Sequence, residues 1–256
     1  MKILVFGGNG YLGKQLCATL GDCVVPAGDI ADQRNVSKWL CMNPDVVINA
    51  AGRTGSPDVD WCEDHKIETF HSNVTGAAVL LEACIWSGTY LVHIGSGCIY
   101  TGAGEWKEDD APNFDGSYYS YTKMLADAMM RRHDVLNLRL RMPFDRSDSE
   151  RNLLTKLARY DKVLDAVNSM TYVPDFLSAT KTLIDQRITG TFNVVNPFPV
   201  SPYDVARAMG CDPAWITEDE LRALTKAPRS SCVLNGDKLA RYYKMRPTAD
   251  ALRGCI

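Results

Sequence analysis

The first sixteen residues, MKILVFGGNGYLGKQL, combine an apolar run with glycines at positions 7, 10 and 13. The run from Ile3 to Phe6 is typical of a buried parallel strand, and the glycines follow it with the spacing G-x-x-G-x-x-G. We expect Gly7 to form a tight turn, Gly10 to let backbone approach a pyrophosphate, and Gly13 to let a helix pack closely. A glycine-rich turn without a ligand is the alternative, but the position directly after an N-terminal strand favours a dinucleotide site.

The segment SYYSYTK places Tyr119 and Lys123 four residues apart. Residues at this spacing project from one face of a helix, so we expect the lysine ammonium to lie near the phenol and to lower the pKa of Tyr119. Such a tyrosine exchanges a proton with a carbonyl being reduced, while the lysine holds a nicotinamide ribose. An ordinary helix surface gives the same spacing. Together with the glycine turn, however, the pair indicates a nicotinamide-dependent oxidoreductase.

Between these motifs, LVHIGSGCIY predicts a strand from Leu91 to Ile94 that ends at Gly95 and Ser96. Ligands of a doubly wound sheet bind at the carboxyl ends of its strands. Ser96 is therefore expected to donate a hydrogen bond to the same carbonyl as Tyr119. The alternative for Ser96 is a turn serine between two glycines.

Composition narrows the class of protein. A chain of 256 residues that is 46% hydrophobic can bury one large core, or one nucleotide-binding domain with a smaller lobe. A net charge of -3 gives no electrostatic case for binding nucleic acid or an anionic membrane. The nine cysteines include no C-x-x-C pair, so neither a disulfide framework nor a metal site is indicated. With no apolar stretch of membrane-spanning length and no signal-peptide pattern, we expect a cytoplasmic protein.

Strand and helix patterns alternate through the first part of the chain, which is typical of a parallel sheet with right-handed crossovers. The predicted strands are 4–6, 23–25, 45–48, 91–94 and 135–140, and the predicted helices are 11–20, 36–41, 74–86 and 119–132. We therefore predict an α/β fold, a Rossmann-type doubly wound parallel sheet with a smaller C-terminal substrate-binding lobe. Residues 1–143 form the NAD(P)-binding domain in this prediction, and residues 144–256 form mainly the lobe, with some segments returning to the sheet.

At this level the motifs resemble a known family. The glycine turn, the NAAG of residues 49–52, the SNVTG around Asn73 and the Tyr119/Lys123 pair are similar to extended short-chain dehydrogenases that act on nucleotide sugars. Four stretches are more specific: AGRTGSPDVDWCEDHKIET, GCIY followed by KEDDAPNFDGSYYSYTK, LRMP with RNLLTK, and LTKAPRSS. They resemble the UDP-4-keto-6-deoxy-D-glucose 3,5-epimerase/4-reductases that make UDP-L-rhamnose, relatives of the dTDP-4-dehydrorhamnose reductases. The resemblance runs over about residues 1–235 and is weaker at 22–42.

The resemblance implies a homodimer that epimerises its keto-sugar at C3 and C5 and then reduces it with NADPH, after an upstream 4,6-dehydratase has made the ketone. We expect the dimer to pair the helices that begin near Val74 and Tyr119, which carry the apolar residues Leu80, Leu81, Met124, Leu125 and Met129. The implied cofactor site comprises Gly7, Asn9, Gly10, Tyr11, Leu12, Gly13, Asp29, Ala50, Ala51, Gly52, Asn73, Tyr119 and Lys123.

Two more residues bear on the epimerisation. A 4-ketone makes the hydrogens on C3 and C5 acidic, so a base on one face and an acid on the other can invert each carbon through an enolate. Cys98 lies two residues past Ser96, and its thiolate would reach the sugar where the local field favours that form. Lys156, in RNLLTK, matches the family's second epimerisation group. The alternatives are a small buried hydrophobe for Cys98 and a solvated helix charge for Lys156.

Substrate contacts are expected from Ser96, Cys98 and Tyr119 and from three residues further along the chain. Arg229 is a candidate for the diphosphate, because guanidinium matches phosphate oxygens bidentately, although an exposed loop arginine is equally consistent with the sequence. By resemblance, Asn168 and Ser169 meet the uridine or the sugar hydroxyls.

Cofactor preference is encoded less clearly. The predicted strand 23–25 ends in PAGD, with no acidic residue at its tip and no arginine for a 2′-phosphate. We expect Asp29 to meet the adenine, and Lys14 and Arg34 are candidate phosphate partners. These residues and the resemblance favour NADPH, with NADH left open.

Three other functions compete with this interpretation. A GDP-4-keto-6-deoxymannose epimerase/reductase would use the same logic but carry histidine in place of Lys156. A dTDP-4-dehydrorhamnose reductase, acting only at C4, would not need Cys98. A dinucleotide-binding regulatory subunit of the same fold would not require Ser96, Tyr119 and Lys123 together.

Overall fold

The structure is a computed structural model that describes all residues from Met1 to Ile256. The strands are β1 Ile3–Phe6, β2 Cys23–Val24, β3 Val46–Asn49, β4 Tyr90–Ser96, β5 Glu105–Trp106, β6 Leu136–Leu140, β7 Pro143–Phe144, β8 Lys162–Leu164, β9 Thr171–Tyr172, β10 Gly190–Asn193, β11 Ala214–Ile216 and β12 Val233–Leu234. The α-helices are α1 Tyr11–Leu20, α2 Gln33–Leu40, α3 Trp61–Asp64, α4 Lys66–Phe70, α5 Gly76–Ser87, α6 Tyr118–Met130, α7 Leu153–Leu157, α8 Val173–Asp185, α9 Pro202–Ala208, α10 Glu218–Leu224, α11 Asp237–Ala240 and α12 Thr248–Arg253. A π-helical turn, His71–Thr75, joins α4 to α5.

Six parallel strands form the central sheet, in the order β10-β6-β4-β3-β1-β2. The chain reverses its winding direction between β1 and β3, whose register pairs Ile3 with Val46. Their side chains are fully covered, as parallel strands with helices on both faces require. The predicted α/β Rossmann-type fold is confirmed. Such a reversal opens a crevice at the carboxyl ends of the two strands, where ligands of doubly wound folds bind.

Each face of the sheet has its own apolar core. On one face Leu16 of α1 and Phe176 and Leu183 of α8 pack against the sheet. On the other face Val36 of α2 and Leu80 of α5 do so, together with residues of α6. Burial of these side chains contributes roughly 1.5–3 kcal/mol each relative to exposure, so helix attachment is set by the apolar stripes of α1, α2, α5, α6 and α8.

The later part of the chain builds a third apolar core from Phe144, Leu154, Met170, Val205 and neighbouring residues. It contains the strand pairs β7-β9 and β8-β11. Within the same sequence region, α8 and β10 belong to the Rossmann layer, with β10 pairing with β6 from Gly190↔Leu136 to Asn193↔Arg139.

The sequence pattern missed the segment from α3 through the π-helical turn. In α4, Ile67 is 83% exposed and Phe70 is also exposed, so no apolar stripe marks this region as helical.

The Ser117 hydroxyl, which accepts the N–H of Ser120 at 3.1 Å, sets the start of α6 and puts Tyr119 in its first turn.

None of the helices in residues 1–256 has both the length and the apolar character needed to cross a membrane.

Candidate active site

The glycine loop between β1 and α1 is packed too closely for side chains. Gly7 has a φ of 79°, and a Cβ there would lie 2.4 Å from the Ala51 backbone nitrogen. A Cβ on Gly13 would lie 2.2 Å from the Gly7 carbonyl oxygen, so α1 rests directly on the turn. Helix α1 begins after Gly10 without a side-chain cap and has no acidic residue in its first turn. A cradle of this shape at a helix N-terminus fits the pyrophosphate of a dinucleotide.

Because the obstacle at Gly13 is backbone, Gly13→Ala should lower both the stability and the dinucleotide affinity of the protein. Overpacking of this kind costs about 1–3 kcal/mol. The matched control is Gly236→Ala, since φ there is -102° and the nearest atom to a new Cβ is 3.5 Å away. Urea denaturation and NADPH fluorescence titration would measure the two losses. Equal behaviour of the two variants would contradict the close packing of α1 on the turn.

The residues after β3 line the other side of the crevice. Asn49 accepts the Ala51 N–H through its side-chain oxygen at 3.1 Å, which shapes the Ala50–Gly52 turn. The buried Asn73 side chain accepts the Arg53 N–H at 2.7 Å and donates to the Thr122 hydroxyl at 3.1 Å. Asn73 therefore ties this turn to α6. Its predicted contact with the cofactor stays a prediction.

At the opposite end of the crevice, Asp29 faces a histidine that the sequence analysis did not single out. The His71 Nε2 lies 2.8 Å from the Asp29 carboxylate, and both side chains are about half exposed. The pKa of Asp29 is lowered, first by the hydrogen bond that it accepts from the Ala31 N–H and then by His71. An adenine that meets Asp29, as expected from the sequence, would therefore also meet His71.

Ser96, Cys98 and Tyr119 converge beyond the end of β4. The Ser96 hydroxyl oxygen accepts the Cys98 N–H at 3.1 Å, and the Ser96 hydroxyl lies near enough to the Tyr119 phenol to lower its pKa. Cys98 is also close enough to Tyr119 to act on its charge. A serine, a thiol and a phenol around one point can together bind a carbonyl and move protons at the carbons beside it.

The pKa of Tyr119 is raised, not lowered as expected from the neighbouring Lys123. Burial raises the pKa of Tyr119 well above its ordinary value, Cys98 adds to the increase, and Ser96 and Arg141 offset only part of it. The Lys123 ammonium instead donates to the Ile94 carbonyl at 3.1 Å. Tyr119 is consequently protonated at neutral pH, which suits a proton donor.

Burial also acts on Lys123 itself, whose pKa is lowered to about 8. The neighbouring His93 is buried, and its pKa is lowered by burial and by Lys123. The His93 Nδ1 lies 3.2 Å from the Asn49 amide nitrogen, while its Nε2 has no partner. Lys123, His93 and Asn49 are all buried and form the base of the crevice.

The low pKa of Lys123 predicts a pH-dependent stability. Between pH 8 and 10.5 an unfolded chain keeps the lysine proton that the folded chain has lost, so the free energy of unfolding rises with pH across this window. We therefore compare the free energy of unfolding of Lys123→Met with that of wild type. The variant's advantage over wild type should be on the order of 2 kcal/mol larger at pH 7 than at pH 10.5. Urea denaturation of the ligand-free proteins at both pH values tests this. A difference that does not change with pH would show that Lys123 titrates normally.

Cys98 has a charged partner that the sequence analysis missed. The Arg141 guanidinium, only 2% exposed, donates to the Cys98 Sγ at 2.9 Å. The available signal was an arginine within the apolar stretch LNLRLRMP, where a charge is costly to bury.

Lys156 lies in a separate group of charges with Arg229. Burial lowers the pKa of Lys156, and the charges of Arg151 and Arg229 lower it further, against Asp58 and Glu150. The buried Cys62 lies between this group of charges and the Ser96–Cys98–Tyr119 group. An ionised Cys62 would raise the pKa of Tyr119, and the charges of Asp58 and Arg151 act on the pKa of Cys62. Lys156 is not among the direct partners of Cys98.

Arg229 is held by two carboxylates at its loop. Its guanidinium donates to Asp60 at 2.6 Å and lies 3.3 Å from Asp58. Burial alone would raise the pKa of Asp60, but Arg229 holds it below its usual range. A diphosphate would compete with these carboxylates, so the predicted diphosphate contact stays a prediction.

Asn168 and Ser169 are buried behind the site. The Asn168 side-chain oxygen accepts from Arg141 at 2.5 Å and from the Cys232 N–H at 3.0 Å. The Ser169 hydroxyl accepts the Leu234 N–H at 2.9 Å. Both side chains are used in holding β12 and Arg141, and their predicted contact with the uridine or sugar stays a prediction.

No three His, Cys, Asp or Glu side chains within residues 1–256 are grouped so that they could hold a metal ion.

Solved structures of other proteins superpose closely on this chain. The mimivirus UDP-rhamnose synthase (Acanthamoeba polyphaga mimivirus) superposes with a TM-score of 0.94 at 29% identity, covering 99% of this chain and 97% of that one. The dTDP-4-dehydrorhamnose reductase of Bacillus anthracis, solved in complex with NADP, shares the fold with a TM-score of 0.87 at 20% identity, covering 99% and 98%.

Among curated proteins, the chain is 35% identical to the bifunctional dTDP-4-dehydrorhamnose 3,5-epimerase/dTDP-4-dehydrorhamnose reductase of Arabidopsis thaliana, over 94% of this chain and 87% of the relative. It is 33% identical to an Arabidopsis trifunctional UDP-glucose 4,6-dehydratase/UDP-4-keto-6-deoxy-D-glucose 3,5-epimerase/UDP-4-keto-L-rhamnose-reductase. That match covers 95% of this chain but only 40% of the relative.

The family model described as the RmlD substrate binding domain matches residues 1–241. This match extends over the glycine cradle, the Ser96–Cys98–Tyr119 group and Lys156, and it confirms the resemblance found in the sequence. The chain belongs to the RmlD substrate binding domain family.

Proposed function

We propose that this protein converts UDP-4-keto-6-deoxy-D-glucose to UDP-L-rhamnose by 3,5-epimerisation followed by NADPH-dependent reduction of the 4-ketone. The observation that carries the proposal is the convergence of Ser96, Cys98 and Tyr119 at the carboxyl end of β4, beside the glycine cradle. The names of the Arabidopsis and mimivirus relatives support the same pair of reactions.

The residues present fit a dinucleotide. The close approach of Gly7 to Ala51 leaves backbone, not side chains, facing the pyrophosphate position. Gly10 to Gly13 would hold the pyrophosphate, Asp29 the adenine, and Lys123 the nicotinamide ribose. When bound, NADPH supplies the hydride that reduces the ketone. The NADP complex of the related reductase supports NADPH over NADH.

Tyr119 and Ser96 would act on the carbonyl oxygen at C4. Because the pKa of Tyr119 is raised by burial, the phenol carries its proton at neutral pH and can give it to the alkoxide that forms during reduction. Ser96, which lies near the Tyr119 phenol, would orient the same oxygen.

Cys98 and Lys156 would carry the epimerisation. Removing a proton from C3 or C5 gives an enolate whose oxygen is the one held by Ser96 and Tyr119, so all four side chains serve one site. Lys156 suits an exchangeable proton, since burial and the neighbouring arginines lower its pKa.

The ketone must be made beforehand by a 4,6-dehydratase acting on a nucleotide hexose. The trifunctional relatives carry that activity in the same polypeptide, and this chain spans 40% of their length. The dehydratase activity named for these relatives would supply the proposed substrate.

A homodimer is also proposed, with a revised contact surface. The apolar Leu80 and Leu81, expected in the interface, pack inside the chain, whereas Ile85 and Trp86 at the end of α5 are 52% and 84% exposed. Large exposed apolar side chains of this kind favour a protein contact. Sedimentation velocity at micromolar concentration should give a dimer, and a monomer alone would contradict the proposal.

The direct test mixes the protein with NADPH and a UDP-, dTDP- or GDP-linked 4-keto-6-deoxyhexose. Oxidation of NADPH with the UDP-linked gluco sugar, with an L-rhamnosyl product identified by NMR, supports the full proposal. Turnover only of an already epimerised 4-keto-L-rhamnose would reduce the assignment to a 4-ketoreductase. Turnover with only the dTDP- or GDP-linked sugar would change the nucleotide.

A further inference from the structure

Arg141 is a buried cation without a carboxylate partner. Its guanidinium is 2% exposed and takes part in none of the ion pairs of the structure. Arg139, two residues earlier and within β6, is buried as deeply but lies 2.7 Å from the Asp127 carboxylate. A buried charge is normally paired, so the difference between these two arginines requires an explanation.

The groups around Arg141 include one that can become an anion in contact with it. The guanidinium donates from Nη2 to the side-chain oxygen of Asn168 and to the Ser230 carbonyl, both neutral acceptors. Its Nη1 donates to the Cys98 Sγ at 2.9 Å, and its Nε has no partner. The contacts with Asn168 and Ser230 fix the orientation of the guanidinium, and in that orientation Nη1 faces the Cys98 sulfur.

We propose that Arg141 is a positioning residue for the epimerisation, fixing the Cys98 sulfur and serving as the buried counter-charge of its thiolate. The inference rests on the proposed function, because it concerns the same thiol. It adds a buried residue that determines whether Cys98 can act as a base.

Some of the other ionisable groups around Cys98 favour its thiolate and others oppose it. Lys123 is close enough for its charge to favour the thiolate, while Tyr119 and Cys232 would oppose it if ionised. Burial raises the pKa values of both Tyr119 and Cys232, so both are neutral near pH 7. Arg141 is the cation that touches the sulfur.

The proton transfers balance within the site. The Cys98 thiolate takes the proton from the carbon beside the ketone, so the C–H bond breaks, an S–H bond forms and the electron pair moves into the enolate. The Lys156 ammonium then gives a proton to the opposite face of the carbon. Afterwards the thiol loses its proton to water and the amine gains one from water, which restores both groups.

The test measures the thiol without any sugar. Alkylation of the wild-type protein by iodoacetamide is followed by mass spectrometry of the peptide that contains Cys98, across a pH series, with Cys98→Ser as the blank. We expect Cys98 in the native protein to react at a lower pH than in the urea-unfolded chain. A native midpoint equal to or above the unfolded one overturns the proposal, and this comparison needs no substitution at Arg141.

Variants then assign the effect. In Arg141→Met the alkylation rate at pH 7 should fall roughly tenfold or more, because an opposite charge in contact shifts ionisation by at least about one unit. Arg141→Lys, which keeps the charge, should recover much of that rate. Arg139→Lys is the matched control for altering a neighbouring buried arginine and should leave the alkylation rate unchanged. Unchanged alkylation in folded Arg141→Met overturns the proposal.

A final readout separates this inference from the proposed function. Deuterium exchange at C3 and C5 in Arg141→Met should be slow at pH 7 and recover as the pH is raised, which a merely structural role would not produce. If wild-type Cys98 shows the Arg141-dependent thiolate but no sugar exchanges deuterium, the epimerase function fails while the thiolate pairing stands. If exchange occurs normally in Arg141→Met, the positioning role fails while the epimerase function stands.

Discussion

Tyr119→Phe should abolish reduction of the 4-ketone while leaving NADPH binding nearly intact. The variant loses the phenolic proton donor, whose removal costs on the order of 10² to 10⁴ in rate, but keeps the glycine cradle and Lys123. Stopped-flow oxidation of NADPH with the keto-sugar measures the loss, and fluorescence titration measures the binding. Because burial raises the pKa of Tyr119, wild-type reduction should not weaken from phenol ionisation between pH 7 and 9.

The matched control is Tyr121→Phe, on the same helix but 38% exposed. It should reduce the sugar at the wild-type rate. Near-normal turnover by Tyr119→Phe would overturn the assignment of Tyr119 as the proton donor.

The second large effect is the separation of epimerisation from reduction. With Cys98→Ala or Lys156→Ala, the UDP-linked 4-keto sugar incubated in D₂O should incorporate far less deuterium at C3 and C5, by about 10²-fold or more, because a general base or acid is missing. Tyr119→Phe should still exchange these hydrogens, since their acidity depends on the ketone, which survives when reduction is blocked. NMR of the recovered sugar gives both rates.

Cys41→Ala and Lys162→Ala, substitutions of exposed residues, serve as controls for removing a thiol and an ammonium. Deuterium exchange at the wild-type rate in both Cys98→Ala and Lys156→Ala would mean that Cys98 and Lys156 have only structural roles. The assignment would then be reduced to a 4-ketoreductase. Loss of exchange at only one carbon in each variant would assign one carbon to each residue.

What could be predicted from the sequence follows from short-range geometry. The strand, glycine turn and helix of residues 3–20 lie together because they are adjacent in the chain, and helix α1 has the predicted bounds. The parallel sheet followed from the alternation of apolar strands with amphipathic helices. The spacing of Tyr119 and Lys123 correctly placed both on one helix, α6.

Tertiary structure decided the electrostatics of the site. Burial, which no spacing encodes, raises the pKa of Tyr119, where the sequence predicted a lowered one, and it lowers the pKa of Lys123. The Arg141–Cys98 contact joins residues 43 apart in the chain, and the Asp29–His71 contact joins residues 42 apart. Sequence pattern alone identified the residues that are proposed to carry the chemistry. Which charge each of them faces, and how far water is excluded, depends on the packing of β4, β6 and α6, because electrostatic energies are set by distance and burial in the folded chain.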